Sequence, residues 1–173
     1  MHALSLHPDC EPGPVSAITA GIRAMPGGCE AEFVLRGALE DIQISEAGPS
    51  VRTDELWKTT CCEIFWQKLG ASAYREFNLS PSSRWAAYDF DDAREGMRDA
   101  PVEAVELATR REAGALHLSA RIASVLPVPA RVALTAVVAL RDGALQYWAL
   151  AFPAGPPDFH SAACRQLTIK EAL

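Results

Sequence analysis

Seven side chains between Glu63 and Tyr88 carry the chemistry of recognition rather than of bond breaking. Glu63 and Glu76 offer acceptors, Gln67 and Asn78 both donate and accept, Arg84 donates, and Tyr74 and Tyr88 add phenol rings. Such a set can hydrogen-bond a polyhydroxylated ligand and stack against it. Motifs for covalent or phosphoryl chemistry are missing from the sequence. There is no GxGxxG, no GxxxxGK[ST], no HExxH and no GxSxG. Nor does a pair of carboxylates with a recognisable partner point to acid–base catalysis.

Side chains on one strand share a face only at every second position. Three strands, Cys62–Lys68, Ala73–Leu79 and Arg84–Phe90, would gather the seven. The same alternation turns Ile64, Trp66, Phe77, Leu79 and Trp85 to the opposite face, as the core. Ser80-Pro81-Ser82-Ser83 reads as the turn between the second and third strands. The polar face has a second reading, a solvated sheet surface with cross-strand Glu–Arg pairs.

The rest of the chain keeps this rhythm. Ala31–Gly37, Val102–Glu112, Gly114–Ala123, Arg131–Gly143 and Leu145–Phe152 are short apolar-rich runs at near-regular spacing. Arg141-Asp142-Gly143 has the turn chemistry of a hairpin tip, because Asp-Gly supplies positive φ. Val15–Met25 and Val102–Glu112 are alanine-rich enough for helices, yet strands are preferred because their neighbours need partners. Runs of this kind indicate a sandwich or a barrel; the predicted fold is an all-β antiparallel sandwich of roughly nine to eleven strands, in a single domain over residues 1–173.

Composition narrows the partners. The chain has 173 residues, enough to bury a core, and is 49% hydrophobic and 22% charged. A net charge of −6 argues against a nucleic acid or an anionic membrane surface as partner. The longest apolar run, Val132–Leu140, is too short to span a bilayer as a helix. The opening MHALSLHPDCEPG lacks the basic and apolar regions of a signal peptide, so a cytoplasmic location is expected. Five cysteines without a CxxC pair read as free thiols in a reducing compartment. Cys61 and Cys62 are adjacent and should face opposite ways, a poor arrangement for a metal. The acidic stretch Asp89–Glu95 reads as a solvated loop, with calcium as the other reading. No cofactor is expected.

The stretch DELWKTTCCEIFWQKLGASAYREFNLSPSSRWAAYDFDDAREGM (Asp54–Met97) resembles bacterial DOMON-like domains, which are similar to family 9 carbohydrate-binding modules. The resemblance rests on Leu-Trp, then Glu-Ile-Phe, then Tyr-Arg-Glu-Phe-Asn-x-Ser-Pro, Trp-x-x-Tyr and Arg-x-x-Met. Pro156–Ile169 looks like the closing strand of the same family. It implies an immunoglobulin-like sandwich that binds a ligand, a sugar or a sugar-like cell-wall precursor. In the sugar-binding relatives a tryptophan and a glutamate six residues later form one side of the pocket, which implies that role for Trp57 and Glu63. An arginine on a following strand, here Arg84, would donate to hydroxyls, with Tyr88 beside it. A late aromatic closes the site, and Phe159 or Trp148 would take that place. Haem-binding relatives use a methionine and a histidine, so Met97 with His117 or His160 is a further alternative. A domain that meets a protein partner and takes no small ligand is the second function class.

Overall fold

The computed structural model describes residues 1–171. Its first strands show why alanine-rich sequence need not make helix. Strand β1 (His2–Leu6) leads to β2 (Val15–Met25) and β3 (Gly28–Gly37), joined by the two-residue turn Pro26-Gly27. Proline presets φ at the first turn position, and Gly27 takes φ 80° at the second, where a side chain would be strained. The hairpin so started pairs β2 with β3 from end to end, and that pairing outweighs the alanines' helical leaning.

The middle of the chain supplies β4 (Cys61–Lys68), β5 (Tyr74–Leu79), β6 (Trp85–Phe90) and the short β7 (Arg98–Asp99). The turn between β5 and β6 is held by Ser80, whose hydroxyl meets that of Ser82 at 2.8 Å. Ser83 adopts φ 72° there in place of a glycine. Strands β8 (Ala104–Glu112), β9 (Ala115–Ala123), β10 (Ala130–Ala139), β11 (Leu145–Ala149) and β12 (Leu167–Ile169) follow. Beyond the strands the described residues form only single 3-10 turns, at Leu39–Asp41, Leu56–Lys58 and Ala162–Cys164. Among the described residues no helix is long and apolar enough to cross a membrane.

All pairings between these strands are antiparallel, in the order β7-β6-β5-β4-β10-β11-β1-β2-β3-β9-β8, with β12 beside β10. The described residues are therefore all-β, as expected, with twelve strands where roughly nine to eleven were expected, in one strongly curled, half-barrel sheet. This path is continuous where a sandwich would have two separate sheets. Strand β1 makes the continuity: Leu4 pairs with Ile18 of β2, while Leu6 pairs with Trp148 of β11. The path thereby ends in β7 and the charged β8, and β12, paired with β10 alone, adds a short third edge.

One apolar cluster draws from both halves of the curl. It joins Ile18, Phe33, Leu35, Leu116 and Leu118 to Ile64, Trp66, Phe77, Leu79 and Leu134. Trp85 packs against it, so the five expected core residues share one side of the sheet. Cys62 lies in this cluster and Cys61 in a second one on the other face, diverging as adjacent strand residues must.

Candidate functional site

The second face of β4, β5 and β6 is neither open to solvent nor purely apolar. Cys61, Phe65, Tyr74, Ala86, Tyr88 and Phe90 form an apolar cluster there with Ala133, Val137 and Phe159. Strand β4 is buried on both faces through Trp66 for this reason. The expected alternative of a solvated sheet face is not what the fold makes. Residues 152–164 and the 3-10 turn Leu56–Lys58 cover it, leaving a cavity of about 640 Å³.

Register decides what lies on the floor of that cavity. Glu63 on β4 is paired with Asn78 on β5 and with Thr135 on β10. One step along, Phe65 is paired with Glu76, and Glu76 with Tyr88. Glu63 and Glu76 therefore stand diagonally on one face of neighbouring strands, and both line the cavity. Each carboxyl has one fixed donor. The Thr135 hydroxyl donates to Glu63 Oε2 at 2.9 Å, and Asn78 Nδ2 donates to Glu76 Oε1 at 2.7 Å. Both side chains are buried, at 2% and 5% exposure.

Burial sets the protonation of these groups. It pushes Glu63 well above the usual carboxylate range, Glu76's negative charge adds to this, and the Thr135 bond only offsets part. Glu76 is pushed up to about 7 by burial, against the Asn78 bond and the charge of Arg94. His160 lies over this pair, its Nε2 3.8 Å from Glu76 Oε2. Its Nδ1 meets the Tyr74 hydroxyl at 2.6 Å. Burial and then Arg94 pull His160 down to about 4, with Asp158 opposing, so its ring is neutral at neutral pH. The carboxyls therefore face a neutral imidazole, not a cation.

Aromatic rings form the walls. Trp57 stands on one side and Phe159 with Tyr147 on another, with 5.8 Å between the Phe159 and Tyr147 ring centres. Phe65 and Phe90 pack edge-on against His160. At the rim, Arg94 is paired with Asp158 at 2.8 Å and Lys58 with Glu55 at 2.7 Å. Polar groups converging in an apolar-walled cavity of this size are what small-ligand sites commonly present.

Of the five residues singled out in the sequence, Trp57, Glu63 and Phe159 line this cavity. Tyr88 does not. It is buried behind Trp57, ring centres 6.1 Å apart, and its hydroxyl donates to Asp54 Oδ1 at 2.7 Å. Arg84 lies at the turn before β6 and is not among the lining residues, so no Glu63–Arg84 ion pair forms. Trp148, the other candidate for the late aromatic, faces the core from β11.

Phe65, Tyr147 and Arg94 line the cavity without belonging to the recognition set read from the sequence, and Glu76, a member of that set, joins them there. Glu76 was within reach, since alternation already put it on the face of Glu63. Arg94 stands in the Arg-x-x-Met pattern of the resemblance, but a surface loop has no periodicity that would point its side chain at the cavity.

No protein-family model matches the chain, and no curated protein matches it significantly. Among solved structures it is similar to "a putative carbohydrate-binding protein" from Bacteroides uniformis, with a TM-score of 0.62 over 89% of this chain and 78% of that one. Sequence identity is 15%, so the likeness is one of fold.

Of the residues named for haem, Met97 and His160 both line the cavity; His160 Nδ1 is held by the Tyr74 hydroxyl at 2.6 Å, and its Nε2 stands 3.8 Å from Glu76 Oε2, beyond hydrogen-bond reach. His117 sits on β9 in the other half of the sheet, near Glu32 and Glu112. Among the described residues no group of three or more His, Cys, Asp and Glu side chains is placed to hold a metal ion. In the acidic stretch, Asp89 is tied to Arg75 and Asp91 to Arg98.

Proposed function

We propose that the chain is a non-catalytic binding module whose ligand is a carbohydrate or a carbohydrate-like small molecule. One observation carries this reading: the cavity of about 640 Å³ in which Trp57, Tyr147 and Phe159 face the buried carboxyls of Glu63 and Glu76. A sugar ring has apolar faces and a hydroxylated edge. The walls suit the first, and carboxyls that donate when protonated and accept when charged suit the second. The fold-level likeness to the Bacteroides uniformis protein agrees with this reading without establishing it.

The same reading includes the finer features implied by the Asp54–Met97 resemblance. These are a single DOMON-like domain over residues 1–173, similar to family 9 carbohydrate-binding modules, and an immunoglobulin-like sandwich described by the two halves of the curled sheet. Trp57, Glu63 and Phe159 are its ligand-contacting residues. Tyr88 acts behind Trp57 by holding the indole in place, and Arg84 is set aside. A cytoplasmic location belongs to the proposal as well, supported by five cysteines that are all unpaired.

The test is a thermal-shift screen against neutral, acidic and amino sugars. A ligand that prefers the folded state raises Tm as its concentration exceeds Kd. Trp57→Ala and Phe159→Ala should abolish the shift. A screen without a hit, together with capture of a protein partner that Trp57→Ala does not disturb, would replace this reading with that of an interaction domain.

A further inference from the structure

We propose that the cavity selects ligands bearing an ammonium group, so that within the carbohydrate reading its ligand class is the amino sugars. The inference rests on that reading but adds a cation to it. The juxtaposition behind it is an aromatic-walled cavity whose floor holds two carboxyls and whose two lining cations, Lys58 and Arg94, are paired with other acids.

Glu63 is 2% exposed and lines the cavity. Only its Oε2 has a donor, Thr135; Oε1 has no hydrogen-bond partner among the described residues. Glu76 has its Oε2 3.8 Å from His160 Nε2, beyond hydrogen-bond reach. Two acceptor oxygens on one floor are thus left for an incoming donor. Among the described residues neither carboxyl is ion-paired with an arginine or lysine: Arg94 acts on Glu76 only through its charge, and Arg165 lies over the Tyr74 ring, 4.3 Å from its centre. His160 is neutral at neutral pH. Arg94 is paired with Asp158, and Lys58 with Glu55. Asn78, Thr135 and Cys61 are uncharged neighbours, and Tyr74 is kept protonated by burial.

An ammonium has three donors and no acceptor, which matches a floor of acceptors. The faces of Trp57, Tyr147 and Phe159 add the favourable side of an aromatic quadrupole for a cation. A neutral hydroxyl in the same place gains neither effect. Without ligand, burial holds the carboxyls partly protonated. An ammonium favours their charged form, so its binding must release protons.

Calorimetry at neutral pH with glucosamine, glucose and N-acetylglucosamine, each in two buffers of different ionisation enthalpy, tests this. Glucosamine is expected to bind about tenfold to a hundredfold more tightly than the two neutral sugars, the range that one charged hydrogen bond supports, with proton release. Glu63→Gln and Glu76→Gln should each erase the preference. Phe159→Ala, which removes a wall but no charge, should weaken all three sugars together and serves as the control if a Gln variant fails to fold. Equal affinity for glucose and glucosamine overturns the inference and leaves the carbohydrate reading intact. Binding of ethanolamine, with no sugar bound, leaves the cation site standing and overturns the carbohydrate reading. Failure of all four compounds overturns the inference.

Discussion

Glu63 and Glu76 are costly residues to keep in the folded chain, and the cost has a direction in pH. A carboxyl whose folded pKa is raised binds its proton more tightly in the folded state than in the unfolded one. Its stabilising contribution is full below the unfolded value and is lost as pH rises through the folded value. For Glu76 that window runs from the ordinary 4.5 to about 7, and for Glu63 it opens at the same 4.5 and runs upward, because burial holds that carboxyl well above the usual range. His160 acts oppositely: pulled from 6.5 to about 4, it adds stability as pH rises between those values. The terms offset each other below pH 6.5, and only the carboxyls act above it. Tm is therefore expected to fall from pH 6.5 upward. Glu76→Gln and Glu63→Gln should flatten that fall by several degrees, since each kcal/mol is worth about 2–4 °C in a domain of this size. Scanning calorimetry of the three proteins across pH checks this, and a slope unchanged in both variants would refute it.

The pair of strands β5 and β6 depends on more than its ladder. Arg75 on β5 grips Asp89 on β6 with two parallel bonds, Nε to Oδ1 at 2.7 Å and the second from a terminal nitrogen to Oδ2 at 2.8 Å. The same guanidinium reaches the Ser124 hydroxyl at 2.6 Å and so ties in the segment after β9. Removing the arginine leaves Asp89 only partly exposed and without its cation. Arg75→Ala should cost about 3 kcal/mol, near what severing a buried pair costs. Asp89→Ala should cost less, because Arg75 keeps Ser124. Urea midpoints of the two variants test the order; the reverse order would show that the Ser124 side of the contact does little. On the core face, Phe77 is fully buried, and Phe77→Ala should cost about 3–5 kcal/mol.

Across the whole molecule, cooperativity follows from one cluster shared by both halves of the curl. The four tryptophans offer a way to see it, because Trp57, Trp66, Trp85 and Trp148 all belong to the half built on β4–β6, β10 and β11. Fluorescence thus reports on one half, while far-UV circular dichroism reports on both. Coincident urea transitions from the two probes are expected, as for a single cooperative unit. An earlier circular-dichroism loss would mean that β2, β3, β8 and β9 unfold alone.

Strand class, the division of β4–β6 into two faces and the core of Ile64, Trp66, Phe77, Leu79 and Trp85 were legible in the sequence. Each is local: alternation along a strand needs only the order of residues. Trp57, Glu63 and Phe159 could be named as candidates from the family resemblance, but nothing local shows that residues 57 and 159 approach the same strand. That was decided by the fold, when β10 came to lie beside β4 and the chain after β11 folded back over the second face. Tertiary placement also moved Tyr88 behind Trp57 and left Arg84 outside the cavity. It paired Glu63 with Thr135 across 72 positions of sequence, a contact that exists only once the sheet has closed. Spacing orders side chains within an element; which elements meet depends on the burial and backbone pairing of the chain as a whole.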